Sequence, residues 1–281
     1  MSNHNYQSHF KQLNDEMFTL LCEFDRFCKK YDIKYHLAYG TLLGAVRHKD
    51  FIPWDDDMDM YITPDELQKV IEHKDDFSDG FELVLPDSYG DNIYYDNVAR
   101  LIYKKVIVKG DTPKQRYYKG YKRYLGLDLF VIVPQPDGIK GFINNFKLSF
   151  LYASANAFRY DLVLPHYSPF MKIAVNIAYP IGRILGIKRI RRAIDQCIVK
   201  YKDIKAERVH ETNDTLECLY LYYMSADFDK TIYLPIRDRV FPAPAGYDDI
   251  LNCVYGDYMQ LPPKDKRKWH YAEHKSFKII D

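Results

Sequence analysis

Apolar and polar positions alternate with different periods along the chain, and these periods predict the secondary structure. Between residues 7 and 31, apolar side chains recur every three or four positions, which predicts one long amphipathic helix. This apolar face consists of Phe10, Leu13, Met17, Leu20, Leu21, Phe24 and Phe27. Strand-like runs follow at 33–39, 58–62 and 126–133, and the glycine-led segment 40–47 predicts a turn that opens a short helix. The first half is therefore expected to mix helices and strands.

Weaker signals complete the set of predicted elements. Thr63, Pro64 and Glu66 form the pattern of an N-cap, a first-turn proline and a capping box, which predicts the start of a helix. The segment 138–202 is rich in Phe, Ile, Leu and Tyr and is expected to form several helices. Further strands are expected at 81–85, 98–103, 105–109, 208–224 and 232–241, and a terminal helix at 247–258.

The composition is that of a folded globular protein. Hydrophobic residues make up 47% and charged residues 28% of the 281 positions, which excludes a disordered or low-complexity chain. Lys and Arg number 40 against 39 Asp and Glu, so a nucleic-acid partner is not expected. The five cysteines have no CxxC spacing, which argues against a disulfide framework or a cysteine zinc site. No secretory signal or spanning apolar run is evident, so a cytoplasmic location is expected.

Positive charge is concentrated in one segment. Residues 138–202 carry eleven Lys or Arg and two acids, a balance of +9 that leaves −8 for the rest of the chain. Two interpretations stay open. The segment is either a helical subdomain with a solvated cationic face, or a peripheral contact with an anionic membrane surface.

The clearest chemical signal is a group of four carboxylates in five positions, Asp55, Asp56, Asp57 and Asp59. On an extended strand Asp57 and Asp59 point the same way, and such closely spaced acids suit a hard divalent cation. A solvated acidic turn is the alternative, and the apolar residues that flank the group argue against it. Upstream, Gly40 and Thr41 lie at the predicted strand-to-helix turn, where backbone N–H groups can approach a phosphate. Arg47, later in that helix, can pair with a phosphate in a fork geometry.

These motifs, in this order, resemble the nucleotidyltransferase superfamily with its polymerase-β-like fold. That pattern is a Gly-Ser/Thr turn, an Asp-apolar-Asp pair and a distant third carboxylate, here Gly40-Thr41, Asp57-Met58-Asp59 and Asp128. A closer resemblance is to the LicD family, carried by segments 39–48 and 51–60 and by the tail 255–263.

The resemblance implies an α+β fold. Its expected parts are a nucleotidyltransferase core of a mixed sheet flanked by helices at 1–137, a basic helical insertion at 138–205, and a part at 206–281 that completes the catalytic domain. Asp57, Asp59 and Asp128 are then expected to bind Mg²⁺ or Mn²⁺ and to carry catalysis, and Gly40, Thr41 and Arg47 to bind the nucleotide phosphates.

The implied activity is a transfer of phosphocholine, or of a related alcohol phosphate, from CDP-choline or another CDP-alcohol. The acceptor would be a hydroxyl of a bacterial cell-surface glycan precursor of the teichoic acid, lipopolysaccharide or capsule type. A lipid-linked acceptor would suit peripheral binding at the inner face of the membrane. Two alternatives stay open: a nucleotidyltransferase that adds NMP to its acceptor, and a catalytically silent glycan- or choline-binding protein.

A choline headgroup would require an aromatic cage. The sequence contains 26 tyrosines, so ordinary core and surface tyrosines are the alternative for each cage candidate. The candidates are Tyr94, Tyr95, Tyr117, Tyr118, Tyr121 and Tyr124.

Overall fold

A computed structural model describes residues 3–162, 168–214, 216, 218–267 and 278–280, with side chains from residue 11 onward except that of Lys264. The helices in this part of the chain are α1 (Asn3–Lys30), α2 (Tyr39–Arg47), α3 (Pro64–Glu72), α4 (Pro113–Tyr117), α5 (Gly138–Ala155), α6 (Pro169–Leu185), α7 (Ile187–Val199) and α8 (Tyr247–Tyr255). The strands are β1 (His36–Leu37), β2 (Met58–Ile62), β3 (Phe81–Val84), β4 (Ala99–Ile107), β5 (Tyr124–Pro134), β6 (Arg208–Glu211), β7 (Tyr222–Met224), β8 (Thr231–Ile236), β9 (Arg239–Pro244) and β10 (Lys278–Ile279).

A mixed sheet is the framework of the molecule. Its main path runs β1-β2-β5-β4-β10, in which β2 and β5 are parallel and the other neighbours are antiparallel. β3 pairs with β4, and β6 joins β5 to β7, so β5 holds the centre. β8 and β9 form a separate hairpin that contacts β1 and α2. The predicted α+β class with a mixed sheet and several helices is confirmed.

Strand alternation divides the central strands into an apolar face and a polar face. Five side chains of β2 and β5 are fully buried in the core, namely Met58, Met60, Leu125, Leu127 and Leu129. Asp59 and Asp128 occupy the intervening positions and are half-buried. Because successive side chains of a strand point to opposite faces, both acids lie on the face away from that core.

The amphipathic N-terminal helix is confirmed and extends over Asn3–Lys30. Its apolar face is fully buried and α1 contacts β4 and β5. The buried residues are Leu13, Met17, Leu20, Leu21, Phe24 and Phe27. Phe10, predicted on the same face, lies outside the described side chains. Burial of this face supplies most of the driving force for docking the helix, since apolar area contributes about 25 cal/mol per Å².

The predicted helical middle segment is also confirmed, as α5, α6 and α7. α5 and α6 approach closely at Gly182, where an added Cβ would lie 2.1 Å from the Ser154 carbonyl oxygen. α7 inserts Ile187, Ile190 and Ile194 into the main hydrophobic core. α5 adds Leu148, Leu151 and Tyr152 to the same core, so this helical segment shares the main hydrophobic core through both α5 and α7.

Three local predictions need correction. The strand predicted at 33–39 is reduced to the two residues of β1, because α2 already begins at Tyr39. Gly40 consequently lies inside the first turn of α2 and not in a turn before it. The backbone there is strained at Tyr39, whose φ of 41° is in the left-handed region. The strands predicted at 98–103 and 105–109 are one strand, β4, with an irregular register after Tyr103.

The N-cap predicted for α3 is confirmed, but its capping box is only half formed. The Thr63 hydroxyl accepts a hydrogen bond from the Glu66 backbone N–H at 3.4 Å. The Glu66 carboxylate instead accepts from the Lys34 backbone N–H at 2.9 Å and from Lys69 Nζ at 3.0 Å. Tertiary contacts therefore replace the reciprocal bond that the sequence pattern predicts.

Candidate active site

Three charged residues form a row across three adjacent strands. Asp59 on β2 lies in register with Asp128 on β5, and Asp128 lies in register with Arg100 on β4. The Arg100 guanidinium donates to and ion-pairs with the Asp128 carboxylate. Strand pairing thus brings together residues that are 28 and 69 positions apart in the chain.

Asp59 is held by a backbone contact from α2. Its N–H donates to the Thr41 hydroxyl at 3.0 Å, and Thr41 is itself fully buried. Burial and the carboxylates of Asp57 and Asp128 raise the pKa of Asp59 well above its ordinary value. The folded chain therefore keeps an acid where its charged form is unfavourable, which is a feature of functional sites.

The loop before β2 adds three more carboxylates. One oxygen each from Asp55, Asp56 and Asp57 lies within 4.8 Å of the others. Burial and the charge of Asp57 raise the pKa of Asp55. Gly40 permits this arrangement, because a Cβ at that position would lie 2.5 Å from Asp55 Oδ2. The glycine is required here for close approach and not for a left-handed turn.

These residues open onto a cavity of about 420 Å³. Its acidic lining residues are Asp56, Asp57, Asp59, Asp96, Asp128 and Asp214. Its basic lining residues are Arg100, Lys109, Lys122 and Arg159. The described lining therefore contains two more acidic than basic side chains.

Basic side chains line the part of the cavity wall that is formed by β4 and the segment between β4 and β5. Lys122 Nζ donates to Asp96 at 3.3 Å and lies 3.9 Å from the centre of the Tyr95 ring. Arg100 ion-pairs with Asp96 at 3.9 Å in addition to Asp128. Burial lowers the pKa of Lys109, because removal from water disfavours its charged form. This side can bind phosphate groups.

A second acidic group comes from the end of β6. One ligand atom each from Glu211, Asp214 and Cys218 lies within 4.8 Å of the others. The Tyr39 hydroxyl donates to Glu211 Oε2 at 2.6 Å, so the strained Tyr39 backbone directs its ring to this group. Glu211 is fully buried, and within the described part of the chain its Oε1 has no hydrogen-bond partner. Burial, with the charges of Asp96 and Asp128, raises the pKa of Asp214 to about 7.

The structure places the predicted site residues in three ways. Asp57, Asp59 and Asp128 line the cavity. Gly40 and Thr41 lie directly behind the acids and position them, as described above. Arg47 is not among the described residues that line the cavity: its Nη1 donates to the Tyr258 carbonyl oxygen at 2.6 Å. Arg47 thus ties α2 to the loop after α8.

Sequence reasoning missed two residues that line the cavity, Arg100 and Asp214, and the buried Glu211 beside them. Arg100 interrupts an apolar strand as Asp128 does, so the same alternation could have indicated it. Glu211 and Asp214 belong to a run of five polar residues, 210–214, that carries no sequence signal of burial, although His210 and Glu211 are fully buried.

The tyrosines predicted to form a cage separate into two groups. Tyr94, Tyr95 and Tyr124 line the cavity. The other three, Tyr117, Tyr118 and Tyr121, are not among its described lining residues and pack in a small cluster around Tyr89, to which Tyr95 and Tyr124 also belong. For these three, core packing is the better interpretation.

The acids at the cavity suit a hard divalent cation better than any other group. Carboxylate oxygens are the donors that Mg²⁺ and Mn²⁺ prefer. Burial and neighbouring carboxylates raise the pKa values of Asp55 and Asp59, and a bound cation would favour their charged forms. Asp59 on β2 and Asp57 in the loop just before β2 can hold such an ion. Asp128 can add a ligand only by sharing its carboxylate with Arg100.

A family model and one long match to a named protein identify the family of this chain. The family model for "LicD/FKTN/FKRP, nucleotidyltransferase domain" matches residues 32–176, a range that contains all three predicted catalytic acids. The lipopolysaccharide cholinephosphotransferase LicD of Haemophilus influenzae is 27% identical over 270 residues, covering 90% of this chain and 92% of that protein. An uncharacterized protein of Rickettsia prowazekii is 40% identical over 58 residues, 20% of this chain and 22% of its own. One of Rickettsia typhi is 42% identical over 50 residues, 18% and 16% respectively.

Proposed function

Because the chain belongs to the LicD/FKTN/FKRP family, we propose that this phosphotransferase moves phosphocholine, or a related alcohol phosphate, from a CDP-alcohol to a glycan. The acceptor would be a hydroxyl of a cell-surface glycan precursor, and CMP would leave. The long match to a lipopolysaccharide cholinephosphotransferase supports choline as the alcohol and a glycan as the acceptor.

One observation carries the proposal: the in-register row of Asp59, Asp128 and Arg100 at the edge of a charged cavity. A parallel strand pair that presents two acids on one face, with a third acid two residues upstream, is the arrangement expected of a nucleotidyltransferase core. We therefore assign that core to the β2–β5–β4 part of the sheet.

Asp57 and Asp59 would hold Mg²⁺ or Mn²⁺ through their carboxylates, with Asp128 as a third ligand in exchange with Arg100. When bound, a divalent cation neutralises diphosphate charge and stabilises the departing monophosphate. The excess of acids over cations at the cavity supports this, since it leaves charge for a cation to balance.

The basic side of the cavity would orient the donor. Lys109, Lys122 and Arg159 line it together with Arg100, and cations of this kind bind phosphate oxygens by charge-assisted hydrogen bonds. The donor diphosphate would thus lie between basic side chains and the acids that hold the metal. Reacting groups held in this way need little further rearrangement, which can supply about 7–11 kcal/mol of the barrier reduction.

Asp128 would orient or deprotonate the attacking hydroxyl. Burial raises the pKa of its carboxyl, although Arg100 opposes the rise. A raised pKa makes a carboxylate a better proton acceptor near neutral pH. In this step the acceptor hydroxyl gives its proton to Asp128 and its oxygen forms a bond to the phosphorus of the alcohol phosphate. The bond from that phosphorus to the bridging oxygen breaks, and CMP leaves with that oxygen.

The alcohol headgroup would lie near Tyr94, Tyr95 and Tyr124. Lys122 lies over the Tyr95 ring and Arg159 over the Tyr94 ring, so a quaternary ammonium would bind best at Tyr124.

Calorimetric titration tests the proposal. CDP-choline, CDP-ribitol, CDP-glycerol and CTP are titrated in turn, with and without Mg²⁺, into the wild type and into the matched variant Asp57→Asn. We expect Mg²⁺-dependent binding that prefers CDP-choline in the wild type, and a loss of the Mg²⁺ dependence in the variant. Equal binding of CTP and every CDP-alcohol would instead favour a nucleotidyltransferase that adds NMP.

A further inference from the structure

Helices α5 and α6 expose an unusual amount of apolar surface. Eight of their large apolar side chains are each between 57% and 80% exposed. On α5 these are Ile139, Phe142, Ile143 and Phe146, and on α6 they are Phe170, Ile173, Ile177 and Ile184. We call these eight side chains the apolar face. Exposed apolar surface in this amount marks an interaction site.

The apolar face of α5 points away from the body of the protein. Its members recur at spacings of three and four, so they share one side of the helix. The opposite side is formed by buried residues, among them Asn144, Leu148 and Leu151. On α6, Val175, Ala178 and Gly182 are buried against the molecule, which leaves the positions of the apolar face outward. These residues are therefore not part of the core.

Exposed cations flank the apolar face. Lys140 and Lys147 lie beside it on α5, and Lys172 and Arg183 on α6. The whole segment 138–202 has a balance of +9, with Asp161 and Asp195 as its two acids. Large apolar residues bordered by Lys and Arg are the composition of helices that lie in the interface of an anionic membrane.

We propose that the apolar face docks this protein onto the surface of an anionic lipid bilayer, with its phenylalanine and isoleucine side chains in the interface. Cations near such a surface contribute about 1 kcal/mol each by attraction to the lipid headgroups. A second copy of this chain is a poorer occupant, because two such faces would bring together two strongly positive segments. The proposal does not depend on the donor or on the reaction.

The contact is peripheral and does not span the bilayer. Among the described helices none is by itself long and apolar enough to cross a membrane. α6 and α7 pass that test together by length and composition, but the chain bends by 107° between them. α7 is moreover fixed in the main core through Ile187, Ile190 and Ile194.

Docking would bring the cavity close to the lipid surface. The same two helices that carry the apolar face also line the cavity, through Tyr152 of α5 and Met171 of α6. Met171 lies next to Phe170, which is 79% exposed. The helices that carry the apolar face thus also contribute to the cavity wall.

Vesicle sedimentation tests the proposal. The full chain is mixed with phosphatidylcholine vesicles prepared with or without phosphatidylglycerol. We expect binding that requires phosphatidylglycerol and weakens with added salt. The variant Phe142→Ser/Phe146→Ser should bind at least about tenfold more weakly, since burying each ring is worth about 1.5–3 kcal/mol when complete. Lys140→Gln/Lys147→Gln should weaken binding by roughly tenfold or more.

Controls separate the apolar face from general hydrophobicity and from folding. Tyr233→Ser/Val240→Ser removes two exposed apolar side chains from the β8–β9 hairpin, and its vesicle binding should equal that of the wild type. Asp57→Asn should also bind vesicles normally. Thermal unfolding of each variant verifies its fold. The proposal is overturned if the wild type ignores anionic vesicles, if the Phe142/Phe146 variant binds them equally well, or if light scattering shows that this face instead holds two copies together.

Discussion

At the scale of single residues, the acids of the cavity are held in place by neighbours that do not themselves face the cavity. Thr41 accepts the Asp59 N–H, and Gly40 leaves room for Asp55. The motif 39–48 therefore acts through its contacts with the acidic loop and β2. Phosphate binding by Gly40 and Thr41 stays a prediction.

The hydrogen bond from Asp59 to Thr41 leads to a direct prediction. Thr41→Val keeps the shape of the side chain but leaves the Asp59 N–H without its acceptor, at a cost of about 1–3 kcal/mol in the free energy of unfolding. Thr41→Ser keeps the hydroxyl and should retain most activity. Chemical denaturation and transferase turnover of both variants check this. Equal stability of wild type and Thr41→Val would contradict the assigned role.

The pKa of Asp214, raised to about 7, predicts a pH dependence of stability. Folding raises the pKa of this acid, so the folded state keeps a proton that the unfolded chain has already released. The destabilisation that Asp214 causes is therefore absent below its ordinary pKa near 3.8. It grows as the pH rises to about 7 and is constant above that. We expect Asp214→Asn to be more stable than the metal-free wild type, by a difference in the free energy of unfolding that grows from pH 4 to pH 8 to the order of 2 kcal/mol. Denaturant titrations of both proteins at several pH values measure it; a difference independent of pH would contradict it.

At the scale of secondary structure elements, α2 contacts both β2 and the acidic loop before it. Its two glycines have different neighbours. A Cβ at Gly40 meets the carboxylate of Asp55, whereas a Cβ at Gly44 would lie 2.7 Å from the backbone oxygen of Asp50. A side chain can move aside, but the backbone cannot.

Substituting each glycine separates these roles. Gly40→Ala should change the free energy of unfolding by about 1 kcal/mol or less, because alanine favours the helix, yet it should reduce turnover by displacing Asp55. Gly44→Ala should cost about 1–3 kcal/mol in stability through overpacking. Thermal unfolding and turnover, measured side by side, distinguish the two. A Gly40→Ala enzyme with full activity would show that the position of Asp55 does not matter.

Much of this arrangement could be predicted from the sequence, because it depends on short-range periodicity. The alternation around Asp59 and Asp128 correctly placed both acids on strands with one polar face. What could not be predicted was the partner of each strand. The ion pair of Asp128 with Arg100 depends on the register between β4 and β5, and the contact of Tyr39 with Glu211 joins residues 172 positions apart.

Two local predictions were wrong for a related reason. The apolar run 33–39 has strand character, but its pairing with β2 covers His36 and Leu37 and ends with one hydrogen bond from the Ala38 N–H to the Asp59 carbonyl oxygen, after which the chain turns into α2. The Glu66 carboxylate is taken by Lys34 and Lys69, and the reciprocal capping bond does not form among the described residues. In both cases tertiary contacts outweigh a local preference.

At the scale of the whole molecule, charge is separated. The insertion is strongly positive, and the remainder of the chain, which carries the acidic cavity, is negative. A bound divalent cation would reduce the negative charge at the cavity, and an anionic surface would balance the positive charge of segment 138–202. The domain boundaries predicted at 137/138 and 205/206 stay predictions, and α7 shows that the insertion shares the main core.

We propose that Asp57 and Asp59 are required for transfer of an alcohol phosphate with release of CMP. Product analysis tests this most directly. The enzyme is incubated with Mg²⁺, a mixed oligosaccharide acceptor and CDP-choline labelled in its choline group, and the products are separated and identified. We predict free CMP and label on the oligosaccharide with the wild type, and a loss of at least about a hundredfold with Asp57→Asn. An undiminished yield with that variant, or a nucleotide attached to the acceptor with free phosphocholine, would contradict the account.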